Sequence, residues 1–179
     1  MYMKSITLSL CFVIMATITF SQENIFYEEV VQTVDTTMTK NQIYSLANEW
    51  FALNFKSAND VLQLQDKESG KLIGKGYTQI NVIVNKRGKT SSEGPMSFTF
   101  IVFCKDGRYK IIVSNVLYYG YPSSINGNGY DIKSEKPSFV PMMMFLGYWL
   151  KIKAGGYNEI DKMVNDLKNF INKNKSSNW

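Results

Sequence analysis

The stretch Met96–Tyr119, MSFTFIVFCKDGRYKIIVSNVLYY, decides the fold. Two runs rich in β-branched and aromatic residues flank Lys105-Asp106-Gly107-Arg108, and Asp-Gly between such runs is a strong hairpin signal. The reading is a strand over Met96–Cys104, a tight turn, and a strand over Tyr109–Tyr119. Upstream, Leu62 and Leu64 alternate with Gln63 and Gln65 from Asp60 onward. Asp66-Lys67-Glu68-Ser69-Gly70 then forms a polar turn whose Gly70 takes positive φ without steric cost. The chain returns over Lys71–Asn85, with Ile80, Val82 and Val84 alternating against Asn81, Ile83 and Asn85, and Lys86–Pro95 reads as a polar hairpin loop. Four consecutive strands joined by short polar turns make an antiparallel meander.

Within this region GKLIGKG (residues 70–76) has the look of a phosphate-binding loop, and the spacing excludes it. A P-loop needs four residues between its first glycine and the Gly-Lys pair, then Ser or Thr for magnesium. Here Gly70 and Gly74 enclose three, and Gly76 stands where the hydroxyl belongs. The stretch also opens no helix whose N-terminal amides would hold phosphate. Gly74 and Gly76, two apart on one strand face, mark a bend or close backbone packing.

The flanks supply the helices. Ile25–Thr37 reads as a strand, and Thr39 with Gln42 forms a capping box before a helix whose Ile43, Leu46, Ala47, Trp50, Phe51 and Phe55 share one face. Tyr121–Pro141, punctuated by glycine and proline, reads as a long loop. Met142–Lys153 is either a short helix or an irregular packing segment, its three methionines filling a gap or lining an adaptable surface. After Gly155-Gly156, Asn158 caps a final helix with Ile160, Met163, Val164, Leu167 and Ile171 as its apolar stripe. The expected architecture is α+β: an antiparallel sheet of about five strands with two helices packed on one face, in the order β-α-β-β-β-β-α.

The N-terminus points to export. MYMKSITLSLCFVIMATITFSQ carries one early positive charge at Lys4, an apolar core from Ile6 to Ile18, and small residues at Thr19 and Ser21. Those features define a signal peptide over residues 1–21, cut before Gln22. The core is shorter than the roughly 18 to 20 residues a membrane span needs, so no transmembrane anchor is expected. Lipid attachment at Cys11 is disfavoured, because Leu10 precedes it where a small residue belongs and cutting there leaves most of the apolar core behind. Residues 22–179 are expected to form one domain, with 120–156 a long loop and apolar connecting segment. Loss of Lys4 takes the net charge from +5 to +4, and the cations are dispersed along the chain with no strand face visibly gathering them.

Composition removes whole classes of chemistry. The chain has no histidine, which excludes Ser-His-Asp and Cys-His catalysis and every zinc site that uses imidazole. Without the signal, Cys104 is the remaining cysteine, so no intrachain disulfide forms, and its place at the end of an apolar run makes it a small core residue. No cofactor is expected.

Tyr44, Trp50-Phe51 in NEWFALNF, Ser57-Ala58-Asn59-Asp60-Val61, and Asp66-Lys67-Glu68 with Gly70, Ile73, Gly74, Lys75 and Gly76 together resemble a family of exported bacterial proteins. That family carries a domain of unknown function with a fold like that of the TATA-box-binding protein, a TBP-like half-saddle. The resemblance is strongest over Ile25–Tyr119. It implies export and a cell-envelope location, periplasmic or at the surface, and it implies no activity. Many members look like lipoproteins, a pattern from which this chain departs at Cys11.

The functional expectation is a non-catalytic envelope or secreted binding module whose partner is another envelope protein, with Tyr121, Tyr148 and Trp149 as contact residues. The alternative is a hydrolase using two of Asp66, Glu68, Glu93 and Asp106 as paired carboxylates. Nucleic-acid binding through the open sheet is third and is not expected. Intact mass of protein from an envelope fraction is expected to begin at Gln22; a mass that includes residues 1–21, or diacylglycerol on Cys11, would overturn the export reading.

Overall fold

Local chemistry starts the first helix. The Thr39 hydroxyl accepts the Gln42 amide at 3.3 Å while the Gln42 side chain accepts the Thr39 amide at 2.8 Å, so two donors at the helix start are satisfied. A computed structural model describes residues 24–55, 62–83, 90–120, 129–135 and 143–174. Its elements are β1 (Ile25–Gln32), α1 (Lys40–Asn54), β2 (Leu62–Asp66), β3 (Lys71–Ile83), β4 (Thr90–Lys105), β5 (Arg108–Tyr118), β6 (Tyr130–Asp131) and α2 (Met143–Lys173). The signal segment with Cys11, residues 56–61 and 84–89, Tyr121 and the rest of 121–128, and 136–142 lie outside the described residues.

The strands form one antiparallel sheet in the order β1-β5-β4-β3-β2, and β6 extends the β1 edge of β5. The α+β expectation holds, with six strands where about five were expected. Both helices pack on the face presented by Leu72, Ile80 and Val82 of β3, Met96, Phe98, Phe100, Val102 and Cys104 of β4, and Tyr109, Ile111 and Val113 of β5. Trp50 of α1 anchors the layer. It is 1 % exposed, its ring lies 5.4 Å from that of Phe100, and its N–H donates to Asp166 of α2 at 2.7 Å. Gly76 makes room for this aromatic group, because a Cβ there would stand 2.8 Å from Phe98 and 2.9 Å from Phe55.

Bulges set which residues face the helices. Between Ser97↔Leu117 and Thr99↔Ser114, β4 has Phe98 alone while β5 has Asn115 and Val116, and Asn115 adopts φ 52°. Asparagine tolerates that left-handed conformation. The extra residue inverts the alternation, so Val116 and Tyr118 join Tyr109, Ile111 and Val113 in the core. A second bulge at Glu93 of β4 turns that side chain toward α2, where the Tyr148 hydroxyl donates to it at 2.7 Å. Pro95 follows it, so what reads as a loop up to Pro95 is the first part of β4; proline is tolerated beside a bulge.

Two further expectations change. β1 ends at Gln32, before Thr37, because Thr33 bonds the Gly107 carbonyl at 2.9 Å and the Asp35 carboxylate takes the Thr37 amide and hydroxyl, closing a local turn. Gly155-Gly156 does not separate two helices. A single α2 runs from Met143 to Lys173, absorbing most of the expected connecting segment, and Asn158 is no cap. The glycines sit where the helix presses on its neighbours: a Cβ on Gly155 would be 2.7 Å from Ile80 Cγ2 and 3.0 Å from the Asn81 carbonyl, and one on Gly156 2.1 Å from Ile132 Cδ1. Trp149, Ile152, Ile160, Val164, Leu167 and Ile171 form one buried stripe through them.

This contrast generates opposite expected signs within one helix. Gly147 is exposed with nothing within 4 Å of an added Cβ, so Gly147→Ala should stabilise by about 0.5–1 kcal/mol. Gly156→Ala should destabilise by about 1–3 kcal/mol through overpacking. Urea titrations of both variants check this, and a common sign would refute the close approach.

Candidate functional site

The sheet face opposite the helices is built by register. Residues paired across strands share a face, so the pairings assemble transverse rows. One row is Asp66, Lys71, Phe103, Lys110 and Val30; beside it stand Leu64, Ile73, Ile101, Ile112 and Glu28. Lys105, Arg108 and Gln32 close the row at the hairpin end, and Lys75, Thr99 and Ser114 lie beyond the aliphatic row. Five cations, Lys71, Lys75, Lys105, Arg108 and Lys110, therefore share one face with three carboxylates among the described residues, Glu28, Asp66 and Asp131. This corrects the expectation of dispersed charge: the cations come from three strands, and their grouping exists only in the register.

The row at Phe103 is the most structured. The Lys71 and Lys110 ammonium groups stand 5.1 and 5.9 Å from its ring centroid, within cation–π range. Lys110 also bonds Glu28 at 2.6 Å, a half-exposed pair of the kind worth about 0–1 kcal/mol. Val30, Phe103, Lys105, Arg108, Tyr109 and Lys110 line an open cleft of about 380 Å³. Ile101 and Ile112 are 4 % and 8 % exposed, beneath their neighbours on this face and apart from the helix-side core.

The four carboxylates singled out in the sequence do not converge. Asp66 accepts the Ser69 amide and hydroxyl, which hold its carboxyl below the ordinary value. Asp106 accepts the Lys40 amide at 2.6 Å at the start of α1, and the Glu68 carbonyl receives the Lys40 ammonium at 2.6 Å. The Asp66 and Asp106 carboxylates thus serve the turns around Lys40, where Glu68 contributes its backbone carbonyl. Glu93 lies ten residues along β4 from Phe103, a strand length of roughly 33 Å, beyond the spacing of any glycosidase pair. Among the described residues no three of His, Cys, Asp and Glu gather as a metal site.

The three aromatic candidates also separate. Trp149 is 3 % exposed and donates its N–H to the Ser134 carbonyl at 3.0 Å, so its ring belongs to the core that ties α2 to the preceding segment. Tyr148 is half-buried on Glu93, whose backbone carbonyl also receives the Tyr118 hydroxyl at 2.8 Å. Burial first, and then the Glu93 bond, raise the Tyr148 phenol, which stays protonated as a donor. Tyr121 lies outside the described residues.

A single antiparallel sheet with strand order β1-β5-β4-β3-β2, one helix after β1 and one after the meander, defines the class: a TBP-like α+β domain. The chain belongs to the family described as a domain of unknown function (DUF4468) with TBP-like fold, which matches residues 27–119. A DUF4468 family protein from Bacteroides ovatus is similar at 15 % identity and TM-score 0.54, over 79 % of this chain and 84 % of that one. A TBP-like protein from Parabacteroides distasonis is similar at 14 % identity and TM-score 0.53, over 80 % and 92 % respectively. At those identities the likeness is one of fold. No curated protein is significantly similar to the chain. Among the described residues no helix is long and apolar enough to cross a membrane.

Cys104 is 2 % exposed, and burial pushes its thiol from 9.0 up to about 12. A thiol kept neutral by burial contributes its full stabilisation below 9.0 and loses it as pH rises toward about 12. Burial raises the Tyr109 phenol in the same direction. Stability should therefore fall on the alkaline side of pH 9.0, and an aromatic disulfide reagent at pH 8 should modify Cys104 only at the global unfolding rate. Stoichiometric modification of the folded chain within seconds would contradict this burial.

Proposed function

We propose that this chain is an exported, non-catalytic binding domain of the cell envelope or its surroundings, and that its working surface is the sheet face opposite the helices. One observation carries the reading: the helices are both committed to one face, while the other presents five cations around Phe103 and the exposed Val30, Leu64 and Tyr77. Exposed apolar side chains next to cations of which Lys110 alone has a carboxylate partner among the described residues favour recognition, since an occupant gains both desolvation and ion pairing. The N-terminal sequence supports export, and the scattered carboxylates and buried thiol support binding without catalysis. Phe103 and Tyr77 beside the same cations favour a second reading, single-stranded nucleic acid stacked on the sheet; export removes that ligand's usual supply.

A photo-crosslinking amino acid placed at Lys75, on this face, and at Lys162, on the outer side of α2, tests the proposal in envelope extract. Adducts from position 75 and none from 162 are expected. Adducts from 162 alone, or none from either, would sink it.

A further inference from the structure

If the sheet face is the binding surface, on which this inference rests, the cleft at its hairpin end narrows the choice of occupant. Lys105 and Arg108 stand directly opposite each other across β4 and β5. Like charges so placed repel. The turn between them contains Asp106, yet its carboxylate is engaged at the Lys40 amide of α1 and neutralises neither. Among the described residues no carboxylate bonds Lys105, Arg108 or Lys71, while Lys110 has Glu28. The floor between these cations is apolar, made of Phe103 and of Val30, which is 56 % exposed. The occupant must therefore carry an anion and an apolar group close together.

β1 says how such an occupant would be held. It is the last strand on its side of the sheet, and over Tyr27–Gln32 its only strand partner among the described residues is β5. The strand carries no lysine or proline of its own to guard this edge, Lys133 reaches its backbone at the Ile25 carbonyl, outside Tyr27–Gln32, and Glu28 and Glu29 are both taken up, by Lys110 and Lys168. An extended segment added to this edge has alternate side chains over the open face, one beside Val30 and the next beside Gln32. Arg108 lies two strand spacings from the latter, about 9.6 Å, a gap that an arginine and an acidic side chain close between them. A cleft of about 380 Å³ suits one or two side chains.

We infer that the β1 edge and the Val30–Phe103–Arg108 cleft together bind an extended, acidic segment of a partner protein, with an aspartate or glutamate two residues from an aromatic or branched apolar residue. Strand addition supplies the backbone bonds, the floor beside Val30 takes the apolar side chain, and Arg108 takes the carboxylate, with Lys105 opposite it adding to the positive field.

The test uses the purified chain labelled with ¹⁵N and three probes: the end-blocked peptide TETFTVT, its glutamine counterpart TQTFTVT, and a twelve-residue oligothymidylate. Amide shifts are expected along β1 and from Phe103 to Lys110 with TETFTVT. Affinity should be about ten-fold weaker for TQTFTVT, and for the Lys105→Glu, Arg108→Glu double variant against TETFTVT. No shifts in β1, or equal affinity of the two peptides, overturns the inference while crosslinking at position 75 leaves the sheet-face reading standing. Tighter binding of the oligothymidylate with shifts across the cationic rows also overturns it, in favour of a polyanion ligand. Shifts confined to the helices would remove both readings.

Discussion

The alternation of β5 has to be broken once for the sheet to have a single helix-facing core. β5 is the strand that joins β1 to the meander, and a strict period of two would send Val116 and Tyr118 to the face opposite Tyr109, Ile111 and Val113. Asn115 in the left-handed region inserts one residue and restores the phase. The contacts beyond this residue depend on it: Tyr118 reaches the Glu93 carbonyl, and Ile132, bonded through its amide to the Val116 carbonyl at 3.1 Å, reaches the groove where Gly156 passes. Before it, Arg108, Lys110 and Ile112 stay in phase on the opposite face. One backbone conformation thus coordinates both surfaces of the sheet.

The two surfaces obey different physics. On the helix side, tolerance is small, because ring contacts around Trp50 and the glycine contacts of α2 leave no room for an added methyl. On the opposite side, spacing is set by strands about 4.8 Å apart, and side chains meet as rows with exposed ends. The membership of the family and the likeness to the two solved structures concern the chain path. The character of the second surface comes from side chains such as Phe103, Lys105 and Arg108, which a shared path does not dictate.

What was legible in the sequence was local. The Thr39–Gln42 capping box, the Asp66–Gly70 turn and the Asp106-Gly107 hairpin each draw their bonds from residues within a few positions, and each appears as read. Gly155-Gly156 misled because helix propensity describes an isolated helix, whereas Ile80, Asn81 and Ile132 decide whether a side chain fits there. The bulges at Glu93 and Asn115 left no mark in the hydrophobic pattern beyond a broken alternation, and with them went the true start of β4. The cationic face was invisible for a simpler reason: Lys71, Lys105 and Lys110 are neighbours only once three strands are in register. Trp149 was weighed as a surface anchor when its partner, the Ser134 carbonyl, lay in a loop the pattern left shapeless.

The strand order also governs the sequence of events in folding. β2 to β5 close through short turns, so their pairing costs little chain entropy and can proceed as a local zipper. β1 precedes them all, yet its partner arrives late: the Lys110–Glu28 contact spans 82 residues. Until β5 exists, IFYEEVVQ has no place in the sheet, and its docking closes a long loop, as does that of α2 through the Trp50–Asp166 bond 116 residues apart. The first of the described elements therefore waits for the fifth strand, and while it waits its unpaired backbone is open to wrong partners.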